Sequence, residues 1–243
     1  MCGICGFFYK NTGKPINPVI LDRMIDKLVH RGPDEKGVYI TQPGALGHRR
    51  LTIIDLVGGQ QPMELPNKKE VLVSNGEIYN YLEIKKNYLS DIQFTSSSDT
   101  EVLLHFLHRK GTDAIPLLNG MFAFVYWDIK NQKVIFARDP VGQKPLFYYF
   151  GSDSFIFSSE LSSLACHPDL PKNIDVDSLA YYLLFEGYPH PHTPLKGVNK
   201  LSPGYFMVLN LRNWTLKKEK YWENLPNPYV FNPMDENKYL ETF

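Results

Sequence analysis

Cys2 is the side chain in this 243-residue sequence best suited to act as a nucleophile. An initiator Met before a small residue is commonly removed, which would leave Cys2 at the chain terminus. A terminal Cys carries its own base, because an α-amino group titrates near ~7.7–8.0 and is partly neutral at cellular pH. Gly3 leaves room for a substrate carbonyl beside the sulfur. On Met1-Cys2 alone, the competing reading is an incidental small residue at a chain end. Cys2 and Cys5 also form a C-x-x-C pair, but no second pair accompanies it, and no zinc or redox centre is expected. Cys5 lies three along a strand and points away from the face of Cys2. Cys166 is expected as a buried apolar residue.

Other groups could serve such a thiol. Asn75-Gly76-Glu77 follows the apolar run Val71-Leu72-Val73. Asn-Gly permits a sharp positive-φ turn. Such a turn can aim the Asn75 amide and the Gly76 N–H at one point, as in an oxyanion hole, or it can be an ordinary turn. Arg50 shares a strand face with His48 and Thr52, and a guanidinium there is either a clamp for a substrate carboxylate or half of a structural ion pair. Asp99 at a helix start either complements the helix dipole or holds an ammonium group. His105 with His108, and His190 with His192, read as helix-surface and proline-loop side chains, so no metal is expected.

The elements that must position these groups follow from pattern. Asn17 caps a helix that opens with Pro18 and buries Leu21, Met24, Ile25 and Leu28, with Gly32-Pro33 as its stop. Ser98-Asp99-Thr100-Glu101 reads as a capping box for a second helix ending at Lys110-Gly111. A third helix, Leu179 to Phe185, follows Asp175 and Asp177. Strand-like runs cover 3–9, 37–41, 46–54, 70–74, 121–128, 133–138, 146–150, 155–158 and 205–211. Hairpin turns at 128–132 and 151–154 favour antiparallel pairing, and regular strand–helix alternation is absent, so α+β layers are expected.

Composition narrows the function. Twenty-six basic residues balance twenty-six acidic ones, which argues against nucleic acid or an acidic membrane as partner. No apolar run approaches the ~18 residues of a membrane span, and the N-terminus lacks a signal peptide's basic and apolar regions, so a cytoplasmic location is expected. Past Trp222, three prolines and several Asn residues read as a linker, followed by the start of a helix.

The ordered set Cys2-Gly-Ile-Cys-Gly6, Arg31-Gly-Pro-Asp34, Arg50-Leu-Thr-Ile-Ile-Asp55, Gln61-Pro62, Asn75 to Asn80, Ser98 to Glu101, Asn119 to Phe124, Arg138-Asp-Pro140, Lys144-Pro-Leu146 and Phe157-Ser-Ser-Glu160 resembles the N-terminal glutaminase domain of glutamine-hydrolysing asparagine synthetases, class II amidotransferases. The resemblance covers about residues 2–222, so residues 1–222 are expected as the glutaminase domain and 223–243 as a linker and the truncated start of a synthetase domain. It implies a four-layer αββα N-terminal nucleophile sandwich with two antiparallel sheets. It further implies that Cys2 attacks the side-chain amide of L-glutamine, that Asn75 and Gly76 form the oxyanion hole, and that Arg50, the backbones of Ile53 and Ile54, Glu77 and Asp99 hold the substrate's carboxylate and ammonium. The implied partner is a synthetase domain in cis, with a homodimer left open. That domain's Ser-Gly-Gly pyrophosphate loop is missing from this sequence. No cofactor is therefore expected in this chain, and ATP and magnesium only with the synthetase. The rival reading is a degenerate, non-catalytic module that binds glutamine or mediates assembly.

Overall fold

The computed structural model describes residues 1–52, 58–66 and 69–223. The chain runs β1 (Gly3–Tyr9), α1 (Pro18–Asp26), β2 (Glu35–Thr41), β3 (Gly44–Arg50), β4 (Met63–Glu64), β5 (Glu70–Ile78), α2 (Tyr81–Tyr88) and α3 (Asp99–Lys110). A 3-10 stretch (Gly111–Leu117) leads into β6 (Gly120–Asp128), β7 (Lys133–Arg138), β8 (Phe147–Phe150), β9 (Ser154–Ser158) and the short α4 (Leu161–Leu164). The last elements are α5 (Val176–Phe185), β10 (Val198–Lys200), β11 (Tyr205–Asn210) and β12 (Thr215–Lys220). Two six-stranded sheets result, with strand orders β10-β8-β9-β1-β3-β2 and β12-β11-β7-β6-β5-β4. Every strand pairing in them is antiparallel.

Alternation along the strands sorts side chains into three apolar layers. Ile4 and Phe8 of β1, Leu46 of β3, Val71 and Val73 of β5 and Trp127 of β6 meet between the sheets. There Phe8 stands edge-on to Trp127 at 4.9 Å. Cys5, Phe7 and Tyr9 point the other way, onto Leu21, Met24 and Ile25 of α1. Leu72, Phe122 and Phe124 carry the outer face of the second sheet onto α3. The four-layer αββα sandwich is therefore as expected, and central strands buried on both faces read as continuous apolar runs because each face has its own core.

Local signals placed the main helices. The Asn17 side chain accepts the N–H of Val19, and Ser98 accepts that of Thr100. Glu101, however, reaches past the box to the N–H groups of Thr95 and Ser96. Asp175 caps α5 through the Ser178 N–H, yet Leu183, Leu184 and Phe185 of that helix are exposed.

Several expectations need correction. α1 ends at Asp26, well before Gly32, because the following turns tighten into shorter-range bonds such as Leu28 N–H to Ile25 O at 2.9 Å. Gly32 instead permits close approach, since a Cβ there would lie 2.4 Å from the carbonyl carbon of Arg49. β3 stops at Arg50, with Leu51 and Thr52 outside it, and the rest of the expected run, 53–54, lies outside the described residues. Asn75-Gly76 makes no turn: β5 runs through to Ile78, paired with β6 from Glu70 opposite Asp128 to Ile78 opposite Gly120. Cys166 is only half-buried, its thiol donating to Ser162 O at 3.5 Å. The polar edge strand β12 and the weakly amphipathic α2 carried too little apolar pattern to be seen.

Candidate active site

The inner-facing rows of three strands change from apolar to polar at the same end of the sandwich. On β3, Leu46 is followed on that face by His48 and Arg50, and on β5 Val71 and Val73 are followed by Asn75 and Glu77. On the first strand Cys2 precedes Ile4 in the same row, and Gly3 pairs with Arg49, which sets Cys2 beside Arg50. Cys2, Arg50, Asn75, Gly76, Glu77 and Asp99 all line one cavity of about 230 Å³. That is below the ~300–1,000 Å³ of sites for drug-sized ligands and suits a molecule the size of one amino acid.

Cys2 is anchored through its backbone, and its thiol meets the backbone of Leu51, donating to Leu51 O at 3.7 Å. Its carbonyl accepts Arg31 Nε at 3.0 Å, and Arg31 Nη1 pairs with Glu160 Oε1 at 3.0 Å. His30 Nε2 meets the same Glu160 oxygen at 2.8 Å. Two residues on, Ile4 N–H donates to Ser159 Oγ at 3.0 Å, and Ser159 N–H returns a bond to Ile4 O at 2.8 Å. A Cβ at Gly3 would lie 2.9 Å from Leu28 Cβ, so the strand start packs directly on the turn after α1. The Leu51 N–H donates to the sulfur at 3.4 Å. Burial pushes the thiol up, while that N–H, the chain-terminal ammonium, Arg50 and Lys144 pull it down. Met1 also lines the cavity, so its loss would both widen the cavity and convert the Cys2 amide nitrogen into an amine.

The second sheet contributes an unusual amide. Asn75 is 1% exposed, and neither Oδ1 nor Nδ2 has a hydrogen-bond partner among the described residues. A buried polar group in that state costs stability unless a ligand completes it. Gly76 next to it lets β6 close in, since a Cβ there would lie 2.0 Å from Met121 O. The flanking Ser74 is fixed on both sides: its N–H donates to Gln61 Oε1 at 2.6 Å, and its carbonyl lies 3.1 Å from His48 Nε2. Burial lowers His48 to about 4, so the ring is neutral and bridges the two sheets.

The cavity wall carries charges of both signs. Asp99 Oδ2 accepts the Ile78 N–H at 2.7 Å, and among the described residues no cation pairs with its carboxylate. Burial, helped by nearby Glu77, raises its carboxyl above the usual range. A cationic ligand group at Asp99 and Glu77 would reverse that penalty. Arg50 Nη1 donates to Glu35 Oε2 at 3.0 Å, so the ion-pair reading of Arg50 is realised, yet the residue still lines the cavity. Ile53 and Ile54 lie outside the described residues.

Sequence reasoning passed over Gln61, Thr100 and Lys144 as site residues, although all three line the cavity. Gln61 Nε2 donates to Thr100 Oγ1 at 3.4 Å, tying the segment before β4 to the start of α3. Their motifs were visible, but their convergence depends on contacts between distant elements. Among the described residues, no group of three or more His, Cys, Asp or Glu side chains is placed to hold a metal.

Two antiparallel sheets stacked between helical layers make the N-terminal nucleophile hydrolase fold, and Cys2 and Asn75 line one cavity within it. The chain belongs to the glutamine amidotransferase domain family, whose pattern matches residues 1–222. It is similar to a putative glutamine-hydrolysing asparagine synthetase 2 of Methanocaldococcus jannaschii, 34% identical over 261 residues that cover 99% of this chain and 49% of that protein. It is also similar to asparagine synthetase 1 of Bacillus subtilis, 38% identical over 84% of this chain and 33% of the relative. The chain thus spans about half the length, or less, of these curated relatives. Among solved structures, glutamine phosphoribosylpyrophosphate amidotransferase from B. subtilis matches with a TM-score of 0.65 at 21% identity, over 92% of this chain and 50% of that one, which supports the fold.

Proposed function

We propose that this chain, once Met1 is removed, hydrolyses L-glutamine to glutamate and ammonia through a thioester on Cys2. The observation that carries the proposal is the unpartnered Asn75 amide, buried on the wall of the cavity that also holds Cys2. In the proposed reaction the freed α-amine takes the thiol proton, and sulfur attacks the side-chain amide carbon. The negative oxygen that forms is held by Asn75 Nδ2 and the Gly76 N–H. Collapse expels ammonia, protonated by the same amine, and water then cleaves the thioester by the reverse proton path. Asp99 and Glu77 hold the substrate ammonium. Arg50, with the backbones of Ile53 and Ile54, holds its carboxylate, so the zero net charge of the chain accords with a zwitterionic ligand. Holding the reactants aligned can offset up to ~7–11 kcal/mol of barrier.

In the whole protein the ammonia would serve ATP-dependent asparagine synthesis from aspartate, carried out by a synthetase domain in cis that uses ATP and magnesium. That assignment follows the named relatives, and a cytoplasmic setting is part of the same proposal. No helix among the described residues is long and apolar enough to cross a membrane.

Intact mass spectrometry after treatment with diazo-oxo-norleucine, a glutamine-like electrophile, tests the reaction. The expected product is a chain beginning at Cys2 with one adduct on its sulfur, and a Cys2→Ala variant that releases ammonia only at background. Protein that retains Met1 yet turns over glutamine would refute the terminal-amine base. A Cys2→Ala variant working at the parent rate would refute the thioester.

A further inference from the structure

The loop after β7 has no part in the chemistry just described, yet it is pinned from both sides. Asp139 is fully buried, and its carboxylate accepts the N–H groups of Val141 at 3.2 Å, Gln143 at 2.9 Å and Lys144 at 2.9 Å. Arg138 closes over the loop, with Nε donating to Lys144 O at 2.7 Å and Nη2 to Gly142 O at 2.7 Å. Gly142 sits at φ +73°, where a Cβ would lie 3.0 Å from that guanidinium. The loop presents the Lys144 side chain, 6% exposed, on the wall of the cavity that holds Cys2. Among the described residues no carboxylate lies within ion-pair distance of its ammonium. Lysine is rarely buried unpaired, so a site that maintains one needs a reason.

We propose that Lys144 is a positioning residue for the nucleophile: its ammonium, held on the cavity wall by the Asp139–Arg138 lock, stabilises the Cys2 sulfur as thiolate. The inference rests on Cys2 being the nucleophile. The other charged groups facing the cavity are Arg50 from β3, Glu77 from β5, Asp99 from the start of α3 and the chain-terminal amine. The two carboxylates oppose a thiolate. Arg50 also lowers the thiol, but it is shared with Glu35 and, in the proposed reaction, with the substrate carboxylate. A terminal amine that serves as base is neutral just when it must draw the proton, so it offers the thiol no positive field at that moment. Lys144 adds a cation that keeps its charge during the step and has no carboxylate partner among the described residues. The sulfur's proton passes to the α-amine, the S–C bond forms from the electron pair left behind, and Lys144 exchanges no proton.

The test reads the thiol directly, without glutamine. In a Cys166→Ser background, the rate at which iodoacetamide labels the Cys2 peptide is followed by mass spectrometry from pH 5 to 10, for the parent, Lys144→Met, Lys144→Gln and Lys144→Arg. Cys5 does not compete, because full burial pushes its thiol to about 12. Both uncharged variants should label about threefold to tenfold more slowly at neutral pH, with the rise of the profile moved to higher pH, and Lys144→Arg should restore the parent profile. Unchanged profiles in Lys144→Met and Lys144→Gln overturn the inference. So does a Lys144→Arg profile displaced as far as that of Lys144→Met, which would mark a packing role. A parent chain that shows this charge dependence but releases no ammonia from glutamine would refute the glutaminase reading and leave the role of Lys144 standing.

Discussion

In an Asn75→Ala variant the cavity loses both atoms of an amide that the fold leaves unsatisfied. The two consequences run in opposite directions. As an oxyanion donor, Nδ2 acts only when charge has developed on the substrate oxygen, so its loss should lower kcat by about 10²–10³, or ~3–4 kcal/mol, with little change in KM. In the free protein, each unsatisfied buried atom costs about 1–3 kcal/mol. Removing both, less the packing lost with the truncated side chain, should leave the folded state more stable by about 1–2 kcal/mol, an increase of roughly 2–8 °C in Tm for a domain of this size. Coupled measurement of ammonia release gives the first number and scanning calorimetry the second, both on chain beginning at Cys2. A kcat within tenfold of the parent would remove Asn75 from the oxyanion hole. A Tm that falls by several degrees would show that the amide serves the fold rather than the reaction.

The remaining expectations concern charge. Asp99 is held above its unfolded value by burial, so it opposes folding at neutral pH and that penalty fades as pH falls through its raised folded value. Asp99→Asn should therefore raise Tm at pH 7 more than at pH 4, while raising KM for glutamine about tenfold or more. A lower Tm at pH 7 with unchanged KM would contradict both parts. His48 is lowered by burial to about 4, so an unfolded chain takes up its proton first as pH falls and stability declines between about 6.5 and 4. His48→Gln keeps a donor toward Ser74 and should flatten that decline by roughly 3 kcal/mol at most, measured by urea denaturation across the window. A slope identical to the parent's would mean the ring is charged in the native state.

How much of this was legible in the sequence depends on how local each signal is. Asn17 and Ser98 announce helices because a cap is a contact within three residues, and both cap as expected, whereas the third helix begins at Val176 under an Asp175 cap, three residues before the expected Leu179. β1 and β7 were bounded correctly because their apolar runs end at charged or turn residues. Cys2 and Asp99 were visible as chemistry at a chain start and a helix start. Asn75-Gly76 was read as a turn because the dipeptide alone says so. The strand wins because Gly76 answers to Phe122, 46 positions away and directly across the ladder. Lys144 and Gln61 stayed hidden for the same reason, since their direction is set by Arg138, Asp139, Ser74 and Thr100 rather than by neighbours in sequence.

The sulfur and the amide belong to different slabs: Cys2 to the sheet of β1 and β3, Asn75 to that of β5 and β6. Their separation is therefore a thickness, set by whatever fills the space between the slabs. That filler is aromatic, with Phe8 against Trp127 and Phe136 against Phe155 at 4.7 Å, and the His48–Ser74 contact acts as a pin against sliding. Reaction geometry in this fold is a dimension of the core. Trimming a ring there would detune the gap between nucleophile and oxyanion donor without touching either one.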